Sequence, residues 1–312
     1  MVLVGGLVLL AVAADVFVQG AARLATVMRL PPVVVGTVVI GFGTSLPELV
    51  SSVLASAQGS LSLAIGSVIG SDTANATLVV GVAAILAAPA VGRRVLRREA
   101  PLAAAAVALF ALATRNGMSR AAGLVLLGAM VVAAVLLLIQ SKEEPQVPLD
   151  GEGEGAEGSG AGAGLPVLPA LLRTAGGLMG TLVGAEMLVW GALGLAAQSG
   201  LPAGPVGIVV VGLGTSLPEL VTAVQACRRG HTDLVIGNVL GSNMLNSLGV
   251  AGMAAVVHPQ RLPASTTGLP LLVVVVAMAA VSVFFVTGRR LQRWEGVVLL
   301  VAYVASVAIA AG

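Results

Sequence analysis

Between Arg261 and Arg289 the chain runs for 27 residues without a charged side chain, and between Arg120 and Lys142 for 21. A bilayer core about 30 Å thick is crossed by about 20 apolar residues of α-helix, and only a segment that satisfies its own backbone hydrogen bonds can remain there. Apolar stretches of this kind recur near residues 2–24, 31–57, 61–88, 100–114, 120–140, 166–197, 203–227, 233–257, 267–287 and 294–311. They predict an all-α integral membrane protein of about ten transmembrane helices. Composition agrees, since only 10% of residues are charged where soluble domains have about a quarter. The first stretch has no positive charge before Arg23, so it reads as a spanning helix rather than a secretory signal peptide.

The residues that carry most soluble chemistry are scarce. Cys227 is the single cysteine, which excludes an intrachain disulfide, and His231 and His258 both fall near predicted helix ends. That leaves no cluster of soft ligands for zinc, copper or haem, so any ion handled here is held by oxygen and no cofactor is expected. The arginines behind a pI near 9.3 sit in loops, where they report topology rather than nucleic-acid binding.

Between the fifth and sixth spans lies SKEEPQVPLDGEGEGAEGSGAGAG, rich in Glu, Gly and Pro, which reads as a solvated linker over about 141–165. It separates a first five-helix repeat, residues 1–140, from a second, residues 166–312. One offset relates them: adding 171 takes Asp15 to Glu186, Gly20 to Gly191, Glu48 to Glu219, Gly66 to Gly237, Gly70 to Gly241, Ser71 to Ser242 and Asn75 to Asn246. Five being odd, the second half enters the membrane upside down, which predicts two inverted repeats. Basic residues support the count: ten spans put Arg23, Arg29, Arg93, Arg94, Arg97, Arg98, Lys142, Arg173, Arg228, Arg229, Arg289, Arg290 and Arg293 on one side and only Arg115, Arg120 and Arg261 on the other. By the positive-inside rule both termini lie outside and the linker lies in the cytoplasm of a cell inner (plasma) membrane.

Of the 14 acidic residues, Asp15, Glu48, Asp72, Glu186 and Glu219 are predicted within the bilayer, with no Lys or Arg placed to pair with them. A charge at mid-membrane costs at least ~2.5 kcal/mol, so such carboxylates are functional candidates. Two stand in duplicated motifs, GFGTSLPEL at 41–49 and GLGTSLPEL at 212–220. Pro47 and Pro218 break the helix and release carbonyls near Gly41 and Gly43 and near Gly212, and free carbonyls at membrane depth need a cavity or a cation. Thr44 and Ser45 lie four and three residues before Glu48, on one helical face, as do Thr215 and Ser216 before Glu219. Ser71 with Asn75, and Ser242 with Asn246, give the following helices matching polar faces. Two such half-sites make an all-oxygen cage suited to Ca2+ or Na+.

With GSVIGSDTAN and GNVLGSNMLN following the two motifs, the chain resembles the sodium/calcium exchanger family within the cation/Ca2+ antiporter superfamily. The resemblance implies alpha-repeats at about 31–88 and 203–257. It implies Glu48 and Glu219 as central cation ligands, with support from the side chains of Thr44, Ser45, Ser71, Asn75, Thr215, Ser216, Ser242 and Asn246 and from the backbone carbonyls of Gly41 and Gly212. Two departures bear on the ions. Members of the family often carry Asp where this chain has Asn246, and commonly have GSN where it has GSD. Asp72 either supplies the missing charge as an accessory ligand or, being about 100° from Ser71 around the helix, points to another helix.

The resulting expectation is a secondary antiporter, not an enzyme, exchanging Ca2+ for Na+ by alternating access. H+/Ca2+ exchange at the same site is the alternative and a passive cation channel a remote one. Expected partners are the inorganic cations and membrane lipid, with no nucleic acid and no obligate protein partner. An intramembrane hydrolase lacks a membrane-embedded His or Lys as base. Asp15 and Glu186 are read as protonated acids pinning the first and sixth helices, with proton passage as the other reading. Gly66, Gly70, Gly237 and Gly241 are read as close-packing positions.

Overall fold

The computed structural model describes residues 2–115, 117–141, 167–198 and 214–311. The predicted spans are helices there: α1 (Val2–Met28), a bent pair α2 (Pro32–Thr44) and α3 (Leu46–Ala57), α4 (Leu61–Ala87), α5 (Ala100–Thr114) and α6 (Arg120–Ser141), then α7 (Val167–Gln198), α8 (Leu217–Arg228), α9 (Thr232–Val257), α10 (Leu269–Gly288) and α11 (Arg293–Ala311). Six of them, α1, α4, α6, α7, α9 and α10, are each long and apolar enough to cross a membrane, and the α2–α3 pair adds a seventh span bent by 43°. The other three predicted spans coincide with α5, extended upstream by a π-helical turn at Val95–Glu99, with α8 and with α11. Residues 199–213 and the linker at 141–165, apart from Ser141, fall outside the described residues.

Contacts between α1 and α7 show how the halves relate. Gly6 lies against Gly184 and Met187, Leu10 against Gly184, Phe17 against Gly177 and Gly20 against Thr174, so rising numbers in one helix meet falling numbers in the other. The equivalent first helices of the two repeats therefore run antiparallel, as an odd number of spans per half requires. Small residues set the approach: a Cβ added to Gly20 would meet the Thr174 nitrogen at 2.6 Å.

The loops obey the same relation. Isolated antiparallel bridges join Ala90 to Arg290 and Met118 to Gln260. Adding 171 to 90 gives 261, and subtracting it from 290 gives 119, each within one residue of the second bridge. One bridge lies among Arg93, Arg94, Arg289 and Arg290, the other among Arg115, Arg120 and Arg261, so the structure groups the loops as their charges do.

Burial sorts the helices into inner and outer. In α4 and α9, 78% and 83% of the apolar window is buried, against 22% in α6 and 17% in α7. The outer helices present exposed Val and Leu side chains, among them Val131, Val132, Leu168 and Leu172, a surface compatible with lipid rather than water. The two inner helices are the ones that carry Ser71 with Asn75 and Ser242 with Asn246.

Two expectations need correction. Asp15 has a basic partner: Arg229, just past the end of α8, donates to both its carboxylate oxygens, Gln19 donates at 2.9 Å, and Gln225 bonds the Ala11 carbonyl at 3.0 Å. Glu186 is exposed and accepts from the Trp190 indole at 2.7 Å. Asp15 thus ties α1 to the end of α8 as one half of an ion pair, Glu186 bonds within α7, and the α1–α7 contact itself runs along Gly6, Leu10, Ala13, Phe17 and Gly20. The Asp15–Arg229 pair is about a third exposed on a cleft of about 460 Å³, so Arg229→Gln is expected to cost about 1 kcal/mol or less and to move the melting midpoint in detergent by only a few degrees.

The glycines divide unevenly. A Cβ on Gly237 would meet the Val33 oxygen at 2.2 Å and one on Gly241 the Thr37 oxygen at 2.2 Å, the predicted close packing. Gly66 and Gly70 are exposed, and no described residue comes within 4 Å of a Cβ built on either. Glu99, just before α5, is fully buried and accepts from Arg94 at 2.7 Å.

Candidate functional site

Both GTSLPEL segments break the helix at the same residue. Ser45 stands at φ −88°, ψ 8° and Ser216 at φ −91°, ψ 2°, in the sparsely populated bridge region. Pro47 and Pro218 fall in the first turn of the helix that restarts, where a missing backbone donor costs nothing. Glu48 and Glu219 occupy the same first turns, where unpaired backbone N–H groups and the helix dipole favour a carboxylate. The break thus lets a buried acid sit at a helix N-terminus inside the helix bundle.

Opposite these breaks, α4 and α9 widen into π-helical turns at equivalent places, Asn75–Val79 and Leu245–Val250. Asn75 opens the first turn and Asn246 stands second in the other, and π turns inside helices are common at functional sites. Thr44, Ser45, Glu48, Ser71, Asn75, Ser216, Glu219, Ser242 and Asn246 are all buried, with at most 3% exposure. Thr215 is half-buried at the second break, and Gly212 lies outside the described residues.

The two repeats complete each other. Ser45 of the first donates to Glu219 Oε1 of the second at 3.2 Å, and Asn246 of the second donates to Ser71 Oγ of the first at 3.2 Å. Ser71 in turn donates to Glu48 Oε1 at 3.4 Å. The Gly41 carbonyl, expected to be released by the break, accepts from the Ser242 hydroxyl at 3.0 Å and from the Ser45 N–H at 3.3 Å.

Several buried oxygens in this cluster have no hydrogen-bond partner: Glu48 Oε2, Glu219 Oε2, Ser216 Oγ, Asn75 Oδ1 and Asn246 Oδ1; the Asn75 amide nitrogen is likewise unpartnered. Buried polar atoms are nearly always satisfied, and two carboxylates in one dry cluster demand positive charge. No group of three His, Cys, Asp or Glu side chains forms among the described residues, so the donor set is two carboxylates with hydroxyl, amide and carbonyl oxygens. Such a set fits a hard cation, Ca2+ or Na+.

Asp72 does not join the glutamate pair. Its side chain crosses to the second repeat, where Ser247 donates to Oδ2 at 2.6 Å. Sequence reasoning missed Ser247, which lies past the motif, and Asn238, whose amide lies 3.5 Å from the Glu219 carbonyl and 3.4 Å from the Thr44 hydroxyl. A signal for Asn238 was present, since it stands four residues before Ser242 in GNVLGSNMLN and so on its polar face.

Known proteins share this plan. The model of the sodium/calcium exchanger protein family matches residues 1–139 and 170–312. CaxA of Alkalimonas amylolytica is 33% identical over 303 residues, covering 96% of this chain and 94% of that one. Sodium/calcium exchanger MaX1 of Methanosarcina acetivorans is 30% identical over 336 residues, covering 98% and 96%. A structure of the sodium-calcium exchanger NCX_Mj soaked with Na+ and Sr2+ matches with a TM-score of 0.86 at 28% identity, over 98% of this chain and 96% of that one.

Proposed function

Because the chain belongs to the sodium/calcium exchanger protein family, a family of cation antiporters, we propose that it exchanges Ca2+ for Na+ by alternating access at the site between α2–α3, α4, α8 and α9. One observation carries the reading: a pair of fully buried glutamates, one per repeat, each with an unpartnered carboxylate oxygen and each bonded by a serine.

Charge supplies the coupling. Glu48 and Glu219 together neutralise one Ca2+ or two Na+, and the same oxygens cannot serve both loads, so one ion leaves before the other is held. Thr44, Ser45, Ser71, Asn75, Thr215, Ser216, Ser242 and Asn246 shape the cage, with the Gly41 and Gly212 carbonyls as further ligands. The Ser242 hydroxyl that bonds the Gly41 carbonyl would yield that oxygen to an arriving cation. Access alternates as α1 and α7 move across the site, their contact set by glycines on both helices. With the 141–165 linker cytoplasmic, both termini outside and an inward Na+ gradient, the direction is Ca2+ export across the inner membrane. The inorganic cations and surrounding lipid are the only partners this requires.

Uptake of radiolabelled Ca2+ into proteoliposomes tests the coupling, with an imposed Na+ gradient, clamped pH and a proton ionophore present. Na+-driven uptake is expected to exceed the no-gradient control about tenfold or more. Uptake driven by a pH gradient and indifferent to Na+ would mean that protons are the counter-ion. Passive equilibration of Ca2+ without any counter-ion would mean a channel.

A further inference from the structure

We propose that Asp72, Ser247 and the side-chain oxygen of Asn246 form a second cation subsite, separate from the glutamate pair, that takes one monovalent ion of the Na+ type. The inference rests on the exchanger reading above and specifies where an additional coupling ion is held.

Geometry argues for the subsite first. Asp72 is fully buried on α4 and makes no ion pair among the described residues. Ser247 Oγ holds its Oδ2 at 2.6 Å, while Oδ1 has no hydrogen-bond partner. Asn246, the residue before Ser247, donates to Ser71, the residue before Asp72, at 3.2 Å, and its Oδ1 is likewise buried and unpartnered. Two adjacent contacts, Asn246 to Ser71 and Ser247 to Asp72, thus join α4 to the π-helical turn Leu245–Val250 of α9, and each leaves an orphaned buried oxygen, one of them from a carboxylate. A carboxylate in such a setting needs positive charge or a full set of donors, and one hydroxyl does not make a full set.

The repeat shows that this pair is an addition to the scaffold. Every ligand of the central site has a counterpart of the same type 171 positions away. The counterpart of Asp72 is Asn243 and that of Ser247 is Ala76. Asn243 turns to the Met278 sulfur at 3.5 Å, and alanine offers no donor. The duplicated scaffold therefore has the Asp–Ser contact on one side only, so it does not follow from the duplication.

Ligand chemistry follows from the charge. One carboxylate with neutral hydroxyl and amide oxygens balances a single positive charge, whereas Ca2+ takes six to eight oxygens, usually with more than one carboxylate. Hard oxygen donors select an alkali cation over softer ions. The subsite also communicates with the central one: Asn246 donates to Ser71 at 3.2 Å, and Ser71 donates to Glu48 at 3.4 Å. Filling one therefore bears on the oxygens of the other, and a third carboxylate permits one more Na+ than the glutamates alone neutralise.

Equilibrium binding of radiolabelled Na+ to the purified full-length protein tests this apart from transport. Asp72→Asn, a neutral isostere, is expected to bind about one Na+ fewer per chain at saturation, and Ser247→Ala to weaken one class of Na+ sites about tenfold. Equal Na+ stoichiometry and affinity in wild type and both variants would overturn the subsite and leave Asp72 a structural acid. An effect on proton inhibition alone, with Na+ binding intact, would overturn it equally. Should Asp72→Asn fail to elute as a monodisperse species, Ser247→Ala decides by itself. Na+-driven transport in the wild type with unaltered Na+ binding in the variants sinks only the subsite. Wild-type protein that binds no Na+ sinks the Na+-coupled reading as well.

Discussion

Glu48→Gln and Glu219→Gln are each expected to abolish Ca2+ exchange, by a factor of about 100 or more, in protein that still inserts and elutes as a single species. Each substitution keeps the volume and most hydrogen-bonding capacity of the side chain while removing one of the two charges that face a divalent ion. Ser71 Oγ and Ser45 Oγ, which donate to Glu48 and Glu219, can donate equally to an amide oxygen, so the local fold has little reason to change. Loss of a charge from a buried site is a different matter, because the cation it balanced is then left uncompensated. Initial rates of Ca2+ uptake in proteoliposomes, normalised to reconstituted protein, measure the effect. Near wild-type exchange in either variant would place the site elsewhere.

Gly237→Val is expected to have an effect of comparable size by a different route, through the fold. A Cβ there would meet the Val33 carbonyl oxygen at 2.2 Å and the Thr37 nitrogen at 2.8 Å, both backbone atoms that no rotamer change can move. Relief requires α9 to separate from α2, which carries the Thr44 hydroxyl and leads into the helix break at Ser45. Overpacking a well-packed contact costs about 1–3 kcal/mol, and a clash between two backbones belongs at or above the upper end. Yield of monodisperse protein and its melting midpoint in detergent should both fall sharply. Gly128→Ala is the control: it lies on the exposed face of α6, with no described atom within 4 Å of an added Cβ, and should be tolerated.

The candidate site was legible in the sequence because its pattern is local and duplicated. Glycine, proline, hydroxyls and a glutamate within one helical turn define a half-site by spacing alone, and the 171-residue offset pairs it with a second. The helical fold and its spans were legible because a bilayer imposes a length on each apolar segment. What the sequence could not show were encounters between distant segments. Nothing in the run around Asp15 reveals that α8 ends beside it and delivers Arg229. Likewise the direction of Asp72 depends on how α4 meets α9, and only the structure brings Ser247 to its carboxylate. The π-helical turns at Asn75 and Leu245 had no sequence signature, since a single wide turn inside a helix leaves the apolar pattern intact. The Gly41 carbonyl shows a subtler difference: the proline argument identified the break, but the bond from Ser242 to that oxygen is a contact between repeats.

Mutual exclusion of Ca2+ and Na+ at the buried glutamates is the central claim, and competition binding examines it most directly. Radiolabelled Ca2+ bound to the purified protein at fixed pH should be displaced completely as Na+ is raised, and Glu48→Gln should remove the saturable Ca2+ binding altogether. Ca2+ that stays bound at saturating Na+, or that binds undiminished without the Glu48 carboxylate, would contradict it.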